Sequence, residues 1–227
     1  MKPNNDTVKK TFPVLKLHCA SCAKRAEDIL SRQEGVVNAS VNYASTNAIV
    51  EYNPSITSPQ SLRDAIQKGG YDLFIEEQQG AAARLEEIHD KTTANLKKRT
   101  IWAIILSIPV VIIGMFLMDI PYANEIMWIL STPVVFWLGR DFFTGAWAQA
   151  KQRAANMDTL VALSTSIAYI FSVFNTLFPS FWTDRGVEPH VYFEASSVII
   201  AFILLGRLME ERAKGNTSSA IKKLIGL

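Results

Sequence analysis

Two cysteines three positions apart, Cys19 and Cys22, carry the plainest reactive chemistry in this sequence, and it contains no others. Neither has a distant partner with which to staple a fold, which fits a reducing cytosol. A short apolar run, Pro13 to Leu17, precedes the pair, and Cys22, Ala26, Ile29 and Leu30 then recur at helical spacing. The motif therefore falls where a strand turns into a helix. Free backbone N–H groups and the positive end of the helix dipole favour thiolate over thiol at such a place. Two soft thiolates on an exposed loop suit Cu(I), which accepts low coordination, better than a closed zinc site that demands four ligands. Zn(II), Hg(II) and Ag(I) stand as alternative metals, and two metal-free readings stand beside them. One is a pair of small buried apolar residues. The other is a thioredoxin-like redox pair, against which the motif lacks a Trp-Cys or Gly-Pro element and the polar segment is short for a larger sheet.

The elements that must hold this loop follow in order. After the first helix, closed by Gly35, Val37, Ala39, Val41 and Tyr43 alternate, and Ala48, Val50 and Tyr52 alternate again beyond a turn at Ser45 to Asn47. Ser58 caps a second helix with Pro59 at its first position and Leu62, Ala65 and Ile66 on the buried face. Gly69 and Gly70 end it before a last strand at Leu73 to Ile75. The order βαββαβ predicts an α+β, ferredoxin-like domain over residues 12–77, with two helices covering one face of the sheet.

Composition changes sharply after this domain. Residues 78–98 read as a polar, exposed helical linker, ending in Lys97, Lys98 and Arg99. Four apolar stretches follow, at about 101–118, 126–148, 158–180 and 191–212, each near the length that a bilayer requires. An all-α, four-helix membrane region over 99–214 is the expectation, with 215–227 opening a further cytosolic segment. A buried core of a soluble helical protein is the competing reading. Lys and Arg sort to one side: Lys97, Lys98 and Arg99, then Lys151 and Arg153, then Arg207, Arg212 and Lys214, against Arg185 on the other. By the positive-inside rule both termini face the cytosol. Met1 to Thr11 has lysines without an apolar core, unlike a signal or transit peptide. A net charge of +2, with no basic stripe among aromatics, argues against nucleic acid as a partner.

Gly139 to Trp147 is too polar to remain in hydrocarbon and rich in aromatics, which predicts a bent, interfacial helix. Met157 opens the third stretch and Glu194 lies near the start of the fourth. A thioether is a soft ligand for Cu(I), and a carboxylate inside a membrane segment is costly enough to imply a role. Interfacial filler for Met157 and a snorkelling side chain for Glu194 are the plain readings.

The loop Leu17-His18-Cys19-Ala20-Ser21-Cys22-Ala23 resembles that of heavy-metal-associated domains, over about residues 12–76. The resemblance implies that both cysteines bind the metal and that Tyr71, in Gly70-Tyr71-Asp72, packs beside the loop. Lys16 stands where that family has Gly, Leu17 where it has Met, and His18 where it has Thr, so His18 is either a further ligand or a solvated side chain. The segments Met157 to Leu163, Tyr192 to Ala195, Leu205 to Arg207 and Ala213 to Ser218 are similar to the corresponding helices of copper-transporting P-type ATPases. This implies roles for Met157 and Glu194 at the inward and outward ends of an ion route. It implies a bend like that family's Gly-Gly kink, with Arg140 at the second Gly position. A cytosolic copper donor, either a metallochaperone or a small thiol, is the implied partner, with the plasma (inner) membrane of a bacterium as location.

That family's Asp-Lys-Thr-Gly-Thr, Thr-Gly-Glu and Cys-Pro-Cys motifs do not occur in these 227 residues, and Asp90-Lys91-Thr92-Thr93 is a chance echo in a polar linker. The expectation is thus the front of a Cu(I)-exporting ATPase without its actuator, phosphorylation and nucleotide-binding domains, truncated at Gly226-Leu227 and inactive in ATP hydrolysis by itself. A stand-alone, membrane-tethered metal-binding protein or permease is the alternative.

Overall fold

The computed structural model describes residues 7–76, 80–118 and 120–225. The last residue of the expected domain, 77, the first two of the expected linker, 78–79, and the end at Gly226-Leu227 lie outside the described residues. The chain divides into two compact units, 1–89 with 148–156 and 213–227, and 90–147 with 157–212.

In the first unit, strands β1 (Val8–Leu15), β2 (Val36–Asn42), β3 (Asn47–Tyr52) and β4 (Asp72–Leu73) form an antiparallel sheet in the order β2-β3-β1-β4. Helix α1 (Ala20–Ser31) buries Cys22, Ala23, Ala26 and Leu30, and α2 (Pro59–Lys68) buries Leu62 and Ile66. These meet Phe12, Val14, Ala48, Val50, Tyr52 and Leu73 in one core. The arrangement is the ferredoxin-like βαββαβ fold. Ser58 and Ser61 cap α2 reciprocally: Ser61 N–H donates to Ser58 Oγ at 3.2 Å and Ser58 N–H to Ser61 Oγ at 3.0 Å.

Two strand limits differ from the sequence reading, each for a local reason. β1 begins at Val8, because Val8 to Pro13 pair with Tyr52 to Asn47, and it ends before Lys16, which turns to φ 64°. β4 stops at Leu73 instead of Ile75. Phe74 N–H still donates to Pro13 O at 2.9 Å, but Pro13 has no N–H to return, so the ladder ends there.

The second unit is helical. The expected linker and first membrane stretch form one helix, α3 (Ala81–Phe116), since nothing in the polar segment breaks it, and Pro109 is accommodated inside. The second stretch is interrupted: α4 (Ala123–Thr132) passes into a π-helix (Pro133–Leu138) and then, across Gly139, into α5 (Arg140–Lys151), with a bend of 54°. Pro133 cannot donate to the carbonyl of Ile129, and the spacing widens until Gly139 N–H reaches Val134 O at 2.9 Å. α6 (Met157–Leu177) stops short of Pro179, a four-residue α7 (Ser180–Thr183) follows, and α8 (Phe193–Ile225) runs well past the expected limit of 212. The core gathers Ala103, Val110, Met127, Val134, Phe142, Phe193, Ile200 and Leu204.

Among the described residues, 83–116 and Met157–Leu177 are long and apolar enough to cross a membrane, and the bent pair makes a third such segment if it counts as one. α8 is less apolar, because Glu194, Arg207 and Glu210 interrupt or border its hydrophobic run.

A methyl group on Gly139 would stand 2.5 Å from Val135 O and 2.9 Å from Ile200 Cδ1, whereas nothing lies within 4 Å of one on Gly206. Gly139→Ala is expected to cost about 2 kcal/mol through this overpacking, and Gly206→Ala to gain about 0.5–1 kcal/mol of helix propensity. Thermal unfolding of the full chain in detergent distinguishes them; equal melting temperatures for the two variants would refute the steric account.

Candidate functional site

Cys19 is the N-cap of α1, in extended backbone (φ −163°, ψ 160°), and its sulfur accepts the N–H of Cys22 at 3.2 Å. Ser21 Oγ lies 3.1 Å from the same sulfur. A backbone donor and a helix N-terminus thus face Sγ of Cys19, the surroundings that favour a thiolate. The Cα atoms of Cys19 and Cys22 are 5.1 Å apart, and the structure joins the two sulfurs as a disulfide. Only the reduced pair could offer thiolates to a metal. Cys22 is buried in the core and Cys19 is half-buried against it.

The loop rests on Leu17 and Tyr71, both 4% exposed and in the same core cluster as Cys22. Leu17 fills the space beneath the loop as an apolar anchor. His18 is half-buried beside Cys19. Lys16, which initiates the loop, takes the left-handed conformation that glycine adopts without strain. Next to Tyr71, burial alone would raise the Asp72 carboxyl, but hydrogen bonds from Arg63 and Gln67 outweigh it and hold the group below the usual carboxylate range. Arg63 and Asp72 thereby tie α2 to β4 just behind the loop.

Residues 148–156, also part of the first unit, line this end of the domain. Gln149 donates to Gly69 O at 3.1 Å and to the Tyr71 hydroxyl at 3.4 Å, Arg25 donates to Gln152 Oε1 at 2.9 Å, and Asn156 Nδ2 reaches Cys22 Sγ at 3.9 Å. Sequence reasoning had no means of finding these partners, which stand more than a hundred positions from Cys22 and Arg25 and carry no motif. Among the described residues no group of three or more His, Cys, Asp and Glu side chains gathers that could hold a metal.

In the second unit Met157 opens α6, half-buried against the core. Its neighbour Asp158 forms a buried ion pair with Arg207, whose guanidinium also lies 4.3 Å over the Phe142 ring. Gly145 makes room for Asp158: a methyl group there would stand 2.5 Å from its Oδ2. Sequence reading passed over this pair; two opposite charges within largely apolar segments were the signal. Glu194 is half-buried near the start of α8. Its Oε2 is buried without a hydrogen-bond partner, beside Gly114 and Met127 Sδ. Met157 and Glu194 are not brought together. Ser196, two residues past Glu194, meets Thr165, more than two turns along α6 from Met157.

The heavy-metal-associated domain family matches residues 11–72. The chain is 40% identical over 218 residues to a probable copper-transporting ATPase, PacS, of Synechocystis sp. (strain PCC 6803), covering 93% of this chain and 29% of the relative. It is 38% identical over 231 residues to a copper-exporting P-type ATPase of Bacillus subtilis, covering 97% of this chain and 28% of the relative. Residues 11–72 thus match the heavy-metal-associated domain family, and the chain is similar to the N-terminal region of these ATPases, spanning less than a third of their length. A solved structure, the Cu(I)-loaded N-terminal domain of a potential copper-translocating P-type ATPase from Bacillus subtilis, is 41% identical, with 32% of this chain and 94% of that chain covered and a TM-score of 0.29.

Lys16→Gly removes about 1–2 kcal/mol of left-handed strain and adds about 0.5–1 kcal/mol of unfolded-state freedom. The expected outcome is a domain, residues 1–79, more resistant to urea by about 0.5 kcal/mol. A lower urea midpoint would show that the Lys16 side chain contributes more than its backbone costs.

Proposed function

We propose, starting from a heavy-metal-associated domain joined to a region similar to the front of copper-transporting P-type ATPases, that this chain is the metal-receiving and membrane-embedded front part of a Cu(I) exporter. The observation that carries the reading is the pair Cys19 and Cys22 at the start of α1, with the Cys22 N–H turned on the Cys19 sulfur. Reduced, the pair offers two soft donors to a soft ion, the chemistry that selects Cu(I) over hard cations. A half-buried Cys19 and a core-anchored Cys22 allow stepwise exchange with the thiolates of a cytosolic copper donor, a metallochaperone or a small thiol. Tyr71 and Leu17 fix the loop from below, and His18 tunes its outer side.

The membrane role is supported by the apolar helices and the sorting of Lys and Arg; in this reading both termini face the cytosol and the membrane is the plasma (inner) membrane of a bacterium. Met157 acts at the cytosolic mouth, its position fixed by the neighbouring Asp158–Arg207 pair. Glu194, with an unpartnered buried oxygen, acts toward the outer end of the ion route, where a passing cation would satisfy it. ATP hydrolysis belongs to domains outside these residues.

Residues 1–79 are expected to fold alone and, after reduction, to bind one Cu(I) in competition with a chromophoric chelator. Replacing both cysteines by serine should abolish this binding. Retained affinity in the Cys19→Ser, Cys22→Ser protein would misplace the site, and rapid catalysis of disulfide exchange would favour a redox role.

Met157→Leu and Glu194→Ala are expected to lower copper export at least ten-fold when the chain is joined to the remaining domains of a complete exporter, each loss of one ligand costing about 1.4 kcal/mol or more. Full export by both variants would reduce the two side chains to ordinary packing.

A further inference from the structure

Along α4, the π-helix and the start of α5 one set of residues recurs at intervals of three and one: Ile129, Thr132, Pro133, Phe136, Trp137 and Arg140. Such spacing keeps side chains on a single helical face. The structure lines a groove of 740 Å³ with these six residues. Phe136 and Trp137 are 54% and 73% exposed on its walls, within the π-helix that begins at Pro133.

The stripe is apolar or weakly polar until its last member. Arg140 lies just past the bend, with its side chain 60% exposed. Its Nε approaches Asp141 Oδ1 at 3.6 Å, yet Asp141 is already bound through its other oxygen by Arg99. Arg99, Arg140 and Asp141 leave one net positive charge at this end. The guanidinium fork is shaped for two oxygens of one phosphate. The apolar walls select nothing, since any acyl chain covers them; the cation at the end of the groove discriminates.

We propose that this groove binds an anionic phospholipid, with an acyl chain along Ile129, Pro133 and Phe136, the Trp137 indole at headgroup depth and the phosphate on Arg140. A zwitterionic lipid carries the same phosphate with its own compensating cation, so it gains less from the positive charge. The proposal rests on the membrane reading above.

The test uses the full chain reconstituted in vesicles of phosphatidylcholine with phosphatidylglycerol, then drawn into lipid nanodiscs and weighed for retained lipid. Phosphatidylglycerol should be enriched over its share in the vesicle. Arg140→Gln should lower that enrichment about five-fold, the effect of one basic residue at an anionic surface, while Lys97→Gln leaves it near the original value and circular dichroism shows both variants folded. Enrichment unchanged by Arg140→Gln, or equal retention of the two lipids, overturns the lipid site. So does displacement by soluble glycerol phosphate, which would mark a phosphate-ion site. Extraction of the chain from the same vesicles by alkaline carbonate would instead overturn the membrane reading itself, and the lipid site with it.

Discussion

A backbone carbonyl that loses its amide partner in an apolar interior has no water to turn to, at a cost of several kcal/mol. Pro133 creates that situation in the second apolar segment, and much of the second unit answers it. The carbonyl left without its amide is that of Ile129; the neighbouring carbonyl, of Trp128, takes Thr132 Oγ1 at 2.6 Å and Ser131 Oγ at 3.0 Å, and the turns widen so that Gly139 N–H bonds five residues back. The Thr132 hydroxyl is held in turn by Tyr169, which also accepts the Trp128 indole N–H at 2.8 Å. At the far side of the break Arg99 Nε donates to Leu138 O at 3.0 Å and the same guanidinium binds Asp141. The bend is thus a set of satisfied hydrogen bonds around a proline, made possible by the missing side chain of Gly139.

The same constraint explains which charges this region tolerates. Asp158 and Arg207 are buried as a pair, with the guanidinium stacked on Phe142, so neither charge is left alone in a medium of low dielectric. Glu194 has no such partner for Oε2. A group that breaks the rule its neighbours obey is where function is sought, because packing alone gives no reason to retain the expense.

In the ferredoxin-like unit the backbone does the equivalent service for sulfur. Cys19 ends the extended chain and begins the helix, and an amide that would be an orphan at any helix start points at its Sγ. Lys16 accepts a left-handed backbone so that the chain can leave β1 and reach that cap within three residues. Rigidity comes from below, through Leu17, Cys22 and Tyr71, and leaves Cys19 half-buried at the helix start.

The amino-acid sequence by itself determined the periodic features: alternation at Ala48, Val50 and Tyr52, the buried helical faces of Leu62 and Ile66, the Ser58-Pro59 helix start, the Cys19-Cys22 position and the long apolar segments. Each is a local preference that one strand or one helix expresses alone. Tertiary structure decided what depends on partners distant in the chain. β4 is short because Pro13, on another strand, cannot return a hydrogen bond. The polar linker and the first apolar stretch are one helix because composition changes there while helix propensity does not. Asn156 beside Cys22, Gln149 beside Tyr71, and Arg207 on Asp158 are pairings of residues far apart in sequence, whose energies come from burial and geometry that no spacing rule contains.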